Sequence, residues 1–206
     1  MKKSDLIFKL GPSLVSYRMN RWFGYKRFNP ITLTYSVTAA CQSRCKTCQI
    51  GQMFCNDPTR PEKDLKLDEI EKIFKTMKPV YFFNMSGGEP FMRKDLPEIV
   101  RLACKYLKPR VVHTPTNAIL SDRIIEYSEK IINIVREYDP TVPFTVKPSI
   151  DGVGELHDEI RGVKGNFKKL LQTIEGLKKL EEKYDNFHLE LGWSPSCSCR
   201  SARAIS

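Results

Sequence analysis

"ITLTYSVTAACQSRCKTC", residues 31–48, opens as a strand and closes as a metal loop. Ile31, Thr32, Thr34 and Val37 are β-branched, and Pro30 bounds the run in front. Cys41, Cys45 and Cys48 follow with no helical or strand period between them, and Cys55 comes soon after. Four of the chain's 7 cysteines therefore crowd into one loop. That is a poor pattern for a disulfide framework and a good one for a metal site in a reducing compartment.

Strand and helix patterns alternate outward from this stretch. "LDEIEKIFKTM" places Leu67, Ile70, Ile73, Phe74 and Met77 at helical spacing. "VYFFNMS" from Val80 reads as a strand, continuous rather than alternating, as expected when both faces are covered. "GGEP" comes next, then a helix from Asp95 to Leu107 with Asp95 as its expected cap. "RVVHTPTN" is a third strand and "SDRIIEYSEKIINIVREY" a helix with Ser121 as its expected cap. "FTVKPSID" is a fourth strand that Pro148 should bend near its end. A helical pair spans Gly154 to Tyr184, and "FHLEL" from Phe187 begins a fifth strand. Such alternation implies an α/β fold of right-handed βαβ units with a parallel sheet, either a barrel or an open doubly wound sheet. In both, function sits beyond the carboxyl ends of the strands. The cysteine loop, "GGEP", "TN" and "SID" all fall at such ends, so four strand tips aim at one place.

Composition narrows the class. At 206 residues with 41% hydrophobic and 28% charged residues, the chain is an ordinary globular protein with one substantial core. No apolar run approaches the roughly 18 residues of a membrane span, and the amino end reads as no signal peptide, which predicts a cytoplasmic protein. The net charge of +10 leaves nucleic acid open as a partner. Much of that charge, however, is Lys spread through helical segments such as "NFKKLLQTIEGLKKLEEKY", where Lys and Glu surround a stripe of Phe167, Leu170, Leu171, Ile174, Leu177 and Leu180. A solvated helix face is the favoured reading there. Residues 1–30 interleave Arg18, Arg21, Lys26 and Arg27 with Trp22, Phe23 and Tyr25, and an amphipathic helix packed on the domain is expected. Residues 31–192 form the core domain. Residues 193–206 lose the Lys, Glu and Ile typical of the rest and read as an atypical tail, the mark of a truncated or frame-shifted end.

Three thiolates spaced as Cys41, Cys45 and Cys48 can hold three corners of a four-iron cluster and leave one iron open to another ligand. With Cys55 as a fourth ligand, the same loop could instead make a closed tetrahedral zinc site in a non-catalytic module. On these residues the chain resembles the radical S-adenosylmethionine (radical SAM) superfamily. The resemblance continues through Gly87, Gly88, Glu89 and Pro90 after the second strand, Thr116 and Asn117 after the third, and "SIDG" with "LHDEIRG" at and after the fourth. Its wording is similar to that of the molybdenum-cofactor cyclase-like and peptide-maturing members.

The resemblance implies a partial (β/α) TIM-like barrel, incomplete at the carboxyl end. It implies a [4Fe-4S] cluster on Cys41, Cys45 and Cys48, with SAM chelating the open iron. "GGEP" would hold the SAM amino group, with Glu89 as an acceptor, while Ser149, Asp151, Thr116 and Asn117 would lie near its ribose and methionine portions. Arg161 is implied as a carboxylate partner. An external one-electron donor would reduce the cluster, SAM would be cleaved, and a 5'-deoxyadenosyl radical would take hydrogen from a substrate that these residues do not name. Thr47 stands where the family often has an aromatic residue.

The remaining cysteines and the histidines have plainer readings. Cys104 reads as a small core residue, and His113 and His188 as structural. His157 is read as positioning the loop after the fourth strand. Cys197 and Cys199 resemble a metal pair only weakly.

Overall fold

The computed structural model describes residues 11, 14–15, 17–19, 21–23 and 30–193. The tail with Cys197 and Cys199 lies outside the described residues. Strand β1 (Thr32–Thr38) leads into the cysteine loop, the short helix α1 (Ile50–Asn56), a 3-10 turn (Arg60–Lys63) and α2 (Leu67–Thr76). Next come β2 (Phe82–Gly87), a 3-10 turn (Pro90–Met92) and α3 (Leu96–Leu107). The chain continues through β3 (Val111–Thr116), α4 (Ser121–Tyr138), β4 (Phe144–Ile150), α5 (Glu155–Arg161), α6 (Asn166–Lys183), β5 (Phe187–Leu189) and β6 (Gly192–Trp193). The strands stand in chain order β1-β2-β3-β4-β5, every pairing is parallel, and β6 adds to the end of β4 beside β5. This is the expected α/β architecture with its strand tips at one end.

Two adjacent rungs of the sheet explain its two faces. Leu33, Phe83, Val112, Phe144 and Phe187 are in register across all five strands, and the last four are buried against the helices. The next rung is Thr34, Asn84, His113, Thr145 and His188. Because side chains alternate along a strand, this polar rung points to the opposite face. There the Asn84 amide donates to Thr34 Oγ1 at 3.4 Å, and its Oδ1 lies 2.7 Å from His113 Nδ1. Strand β2 therefore alternates, contrary to the reading of both faces as covered. Phe82 sits on the polar face with its ring against His113, 5.6 Å between centroids, and masks the period in the sequence.

The helices bury one stripe each, with Ile99, Val100, Ala103 and Leu107 of α3 and Ile124, Ile131, Ile132 and Val135 of α4 closed off from solvent. Cys104 is in this core as expected, and burial pushes its thiol up to about 12. Two expected caps differ. Asp95 precedes α3 but takes the Arg93 guanidinium instead, at 2.7 Å. Ser121 is the first residue of α4, and its hydroxyl donates to the Lys169 carbonyl of α6 at 3.2 Å. Among the described residues no helix is long and apolar enough to cross a membrane. Leu14, Val15, Met19, Trp22 and Phe23 are half or more exposed, so these side chains are not packed on the domain as expected.

Candidate functional site

The cysteine loop is held by backbone contacts to two other elements, the tip of β2 and the end of α5. Gly88 N donates to Thr38 O at 2.9 Å and Glu89 N to Ala40 O at 2.7 Å, which ties the tip of β2 to the start of the loop. Approach is so close that a Cβ on Gly88 would lie 2.0 Å from the Ala40 carbonyl oxygen, so only glycine fits. At the other end of the loop, Arg44 N and Lys46 N donate to the carbonyls of Arg161 and Ile160, both at 2.9 Å. The chain leaves α5 there through Gly162 at φ +65°, where a Cβ would meet Arg44 O at 2.4 Å.

Two side chains that sequence reasoning did not single out complete the frame. Asp64 accepts from Thr38 Oγ1 at 2.5 Å and Ala39 N at 3.0 Å. Arg93, its side chain 8% exposed, donates to the carbonyls of Val37 at 2.5 Å and Leu65 at 2.6 Å. Neither lies in a motif, and only the folded chain brings them beside β1. A cleft of about 490 Å3 opens next to them, with Thr38, Ala40, Asp64, Leu65 and Arg93 among its lining.

Glu89, Thr116 and Asn117 contact one another beside the cysteine loop, as do Asp151 and Arg161. Glu89 is buried, and both of its oxygens are bonded: Oε2 accepts from Asn117 N at 2.7 Å, and Oε1 from Thr116 Oγ1 at 2.9 Å and Phe91 N at 3.2 Å. It thus locks the tip of β2 to the tip of β3. Burial pushes its carboxyl up to about 7 against the pull of these donors. The Asn117 amide lies 3.9 Å from Cys41 Sγ, and the Arg161 guanidinium 3.8 Å from Cys45 Sγ. Burial raises both thiols, Cys41 to about 11, while Arg161 partly offsets the rise at Cys45.

Arg161 also sits 2.6 Å from Asp151 through Nε and Oδ2, with both side chains largely buried. The Nε–H does not point along that line, so the contact is an ion pair rather than an aligned hydrogen bond. Asp151 N donates to His157 Nδ1 at 3.2 Å, which places the imidazole proton on Nε2. Burial lowers the pKa of His157.

Ser149 and Pro90 also fall at these tips, in β4 and in the turn after Glu89. Cys48 and Cys55 are exposed, and Arg44 Nε donates to Cys55 Sγ at 3.3 Å. Among the described residues no group of three or more His, Cys, Asp or Glu side chains closes on a single ion.

Residues 35–189 match the family model of the radical SAM superfamily. Fe-coproporphyrin III synthase of Methanosarcina barkeri is 31% identical over 154 residues, which cover 71% of this chain and 35% of that protein. Mycofactocin maturase MftC of Mycobacterium tuberculosis is 29% identical over 157 residues, 72% of this chain and 34% of its own. Among solved structures, anSMEcpe with bound AdoMet and a Cp18Cys peptide superposes with a TM-score of 0.54 at 20% identity, covering 78% of this chain and 42% of that one. Streptococcus suis SuiB bound to its precursor peptide SuiA gives 0.51 at 17% identity, over 88% of this chain and 36% of SuiB. These superpositions agree with a partial barrel. The chain spans about a third of the length of the curated relatives it matches. It belongs to the radical SAM superfamily.

Proposed function

We propose, with that membership as the premise, that the chain is the core of an enzyme that holds a [4Fe-4S] cluster on Cys41, Cys45 and Cys48 and binds SAM at the cluster's open iron. When bound, the cluster would supply the electron, drawn from an external donor, that splits SAM into a 5'-deoxyadenosyl radical able to take hydrogen from a substrate. What carries the reading is that Cys41 and Cys45 of one loop lie beside Asn117 at the tip of β3 and Arg161 after the tip of β4, while the backbone past the tip of β2 bonds to the same loop.

The residues fit both groups. Ser43 Oγ, both Gln42 amide atoms, Asp151 Oδ1 and His157 Nε2 are buried without a hydrogen-bond partner, and all lie in the cysteine loop or at and after the tip of β4. Buried polar groups are seldom left unpaired, and a polar ligand with sulfide, amino and hydroxyl groups supplies such partners.

The chain's own residues would do the positioning. Arg161 brings positive charge to Cys45 and so favours its thiolate, while Asn117 donates towards Cys41. Gly87 and Gly88 let backbone approach the SAM amino group. Glu89 ties the tip of β2 to that of β3, and Oε2, which accepts from Asn117 N, has a second lone pair to offer the SAM amino group. Asp151 Oδ1 is left for the ribose or methionine portion, alongside Ser149, Thr116 and Pro90. Three reduced thiols suit a cytoplasmic setting.

Anaerobic reconstitution with iron and sulfide tests the reading. A brown protein whose broad absorption is lost in Cys45→Ala, and which forms 5'-deoxyadenosine from SAM under reducing conditions, is expected. Stoichiometric zinc that needs Cys55 would overturn it in favour of a closed metal module.

A further inference from the structure

The segment before β1 has a surface that the site does not use. Its described residues between 11 and 23 are helical. Set out at about 100° per residue, Trp22, Val15, Met19 and Phe23 fill one continuous arc about 100° wide. All four are exposed, by 71%, 59%, 50% and 66% respectively. Arg18, Leu14 and Arg21 follow along one flank of the arc, and the Arg18 guanidinium lies over the Trp22 ring, 6.0 Å from its centroid. Leu14, Tyr17, Arg18, Arg21 and Trp22 line a groove of about 560 Å3 to which the sheet and its helices contribute nothing.

Charge selects the occupant. Lys2, Lys3, Lys9, Lys26 and Arg27 add to Arg18 and Arg21 in the first thirty residues, against Asp5 alone. An apolar arc beside guanidinium groups suits a surface that is hydrocarbon within and phosphate at its rim. Nucleic acid would use the arginines and the rings of Trp22 and Phe23, but it would leave the aliphatic groups of Leu14, Val15 and Met19 in water. We propose that this segment docks on an anionic lipid surface, with Trp22, Val15, Met19 and Phe23 at the acyl boundary and Arg18 and Arg21 on lipid phosphates. The segment precedes β1 and so joins it at the end opposite the cysteine loop. Nothing in this proposal depends on the cluster or on SAM.

The chain has 2 tryptophans, so a Trp193→Phe background leaves Trp22 as the sole reporter. This protein is mixed with phosphatidylcholine vesicles, with vesicles of equal parts phosphatidylcholine and phosphatidylglycerol, and with poly-uridine. Flotation with the mixed vesicles alone and a blue shift of Trp22 emission are expected. Reversal of charge in R18E/R21E should weaken flotation roughly tenfold or more. The exposed V15S/M19S pair should diminish the blue shift with the circular dichroism spectrum unchanged. Failure to float with the mixed vesicles, equal flotation with both kinds, undiminished binding by R18E/R21E, or binding to poly-uridine in place of lipid would each overturn the proposal.

Discussion

At the residue scale, Glu89 and Arg161 carry most of the site's architecture, and each has a distinct signature. Folding raises the Glu89 carboxyl to about 7, above the ordinary value of about 4.3 for an unfolded glutamate. The folded state therefore holds its proton more tightly than the unfolded state. The stability this contributes is full below the unfolded value and is lost as pH rises through the folded one. Melting temperatures of the wild type and Glu89→Gln measured from pH 4 to pH 8 should show the wild type's advantage shrinking as pH rises, on the order of 3 kcal/mol across the window. A difference that stays flat with pH would show that burial does not perturb this carboxyl.

Arg161 stands between Asp151 and Cys45. Arg161→Gln strands the Asp151 carboxylate and should cost about 3 kcal/mol, while Arg161→Gln with Asp151→Asn should recover most of that loss. Loss of the cation beside Cys45 should also lower the reduction potential of the reconstituted cluster, and the double variant should not restore it. Equal potentials in all three proteins would reduce Arg161 to a structural ion pair. "GGEP" and "LHDEIRG" marked both residues in the sequence, but their partners could not be read there. Asn117 and Thr116 lie far from Glu89 along the chain, and spacing carries no information about which lone pair a buried oxygen will use.

At the element scale, α5 and α6 are joined by one side chain. Asp158 of α5 accepts from Phe167 N at 2.7 Å and from Gly165 N, so a residue of one helix satisfies the first turn of the next. These donors hold the Asp158 carboxyl below its ordinary range. A depressed folded value gives stability that is present above the unfolded value and lost as pH falls through the folded one. Asp158→Ala should therefore lower the melting temperature near neutrality, and the two proteins should converge in acid. Thermal melts across that range check it, and a gap that persists in acid would assign the loss to packing instead. Helix existence was legible from apolar spacing, as at Ile70 and Phe74 of α2. Cap identity was not. Asp95 and Ser121 have suitable side chains at the right positions, yet Arg93 and the Lys169 carbonyl claim them, because tertiary partners compete with a local cap. Cysteine spacing gave the loop away, whereas Asp64, which pins its first residues, sits in a charged stretch with no pattern of its own.

For the whole molecule, the parallel sheet makes one end chemically different from the other. The rung from Leu33 to Phe187 faces the helices and that from Thr34 to His188 faces away, so a one-residue slip at any strand would exchange the two faces. Register is thereby fixed, and with it the height of every loop that leaves a carboxyl end. A bulge between Ser36 and Thr38 shifts the pairing of β1 with β2 just before the cysteine loop, where a strand must turn towards its neighbours. If four tips form one binding surface, a ligand there should protect all of them together and leave the far end unchanged. Amide hydrogen exchange of the reconstituted protein, with and without SAM, should show slower exchange at residues 40–48, 87–91, 116–118 and 149–162. The amino ends of the same strands, near residues 32, 82, 111 and 144, should exchange as before. Protection confined to the cysteine loop would mean that SAM meets the cluster without the strand tips, and protection at the amino ends would move the binding surface to the other side of the sheet.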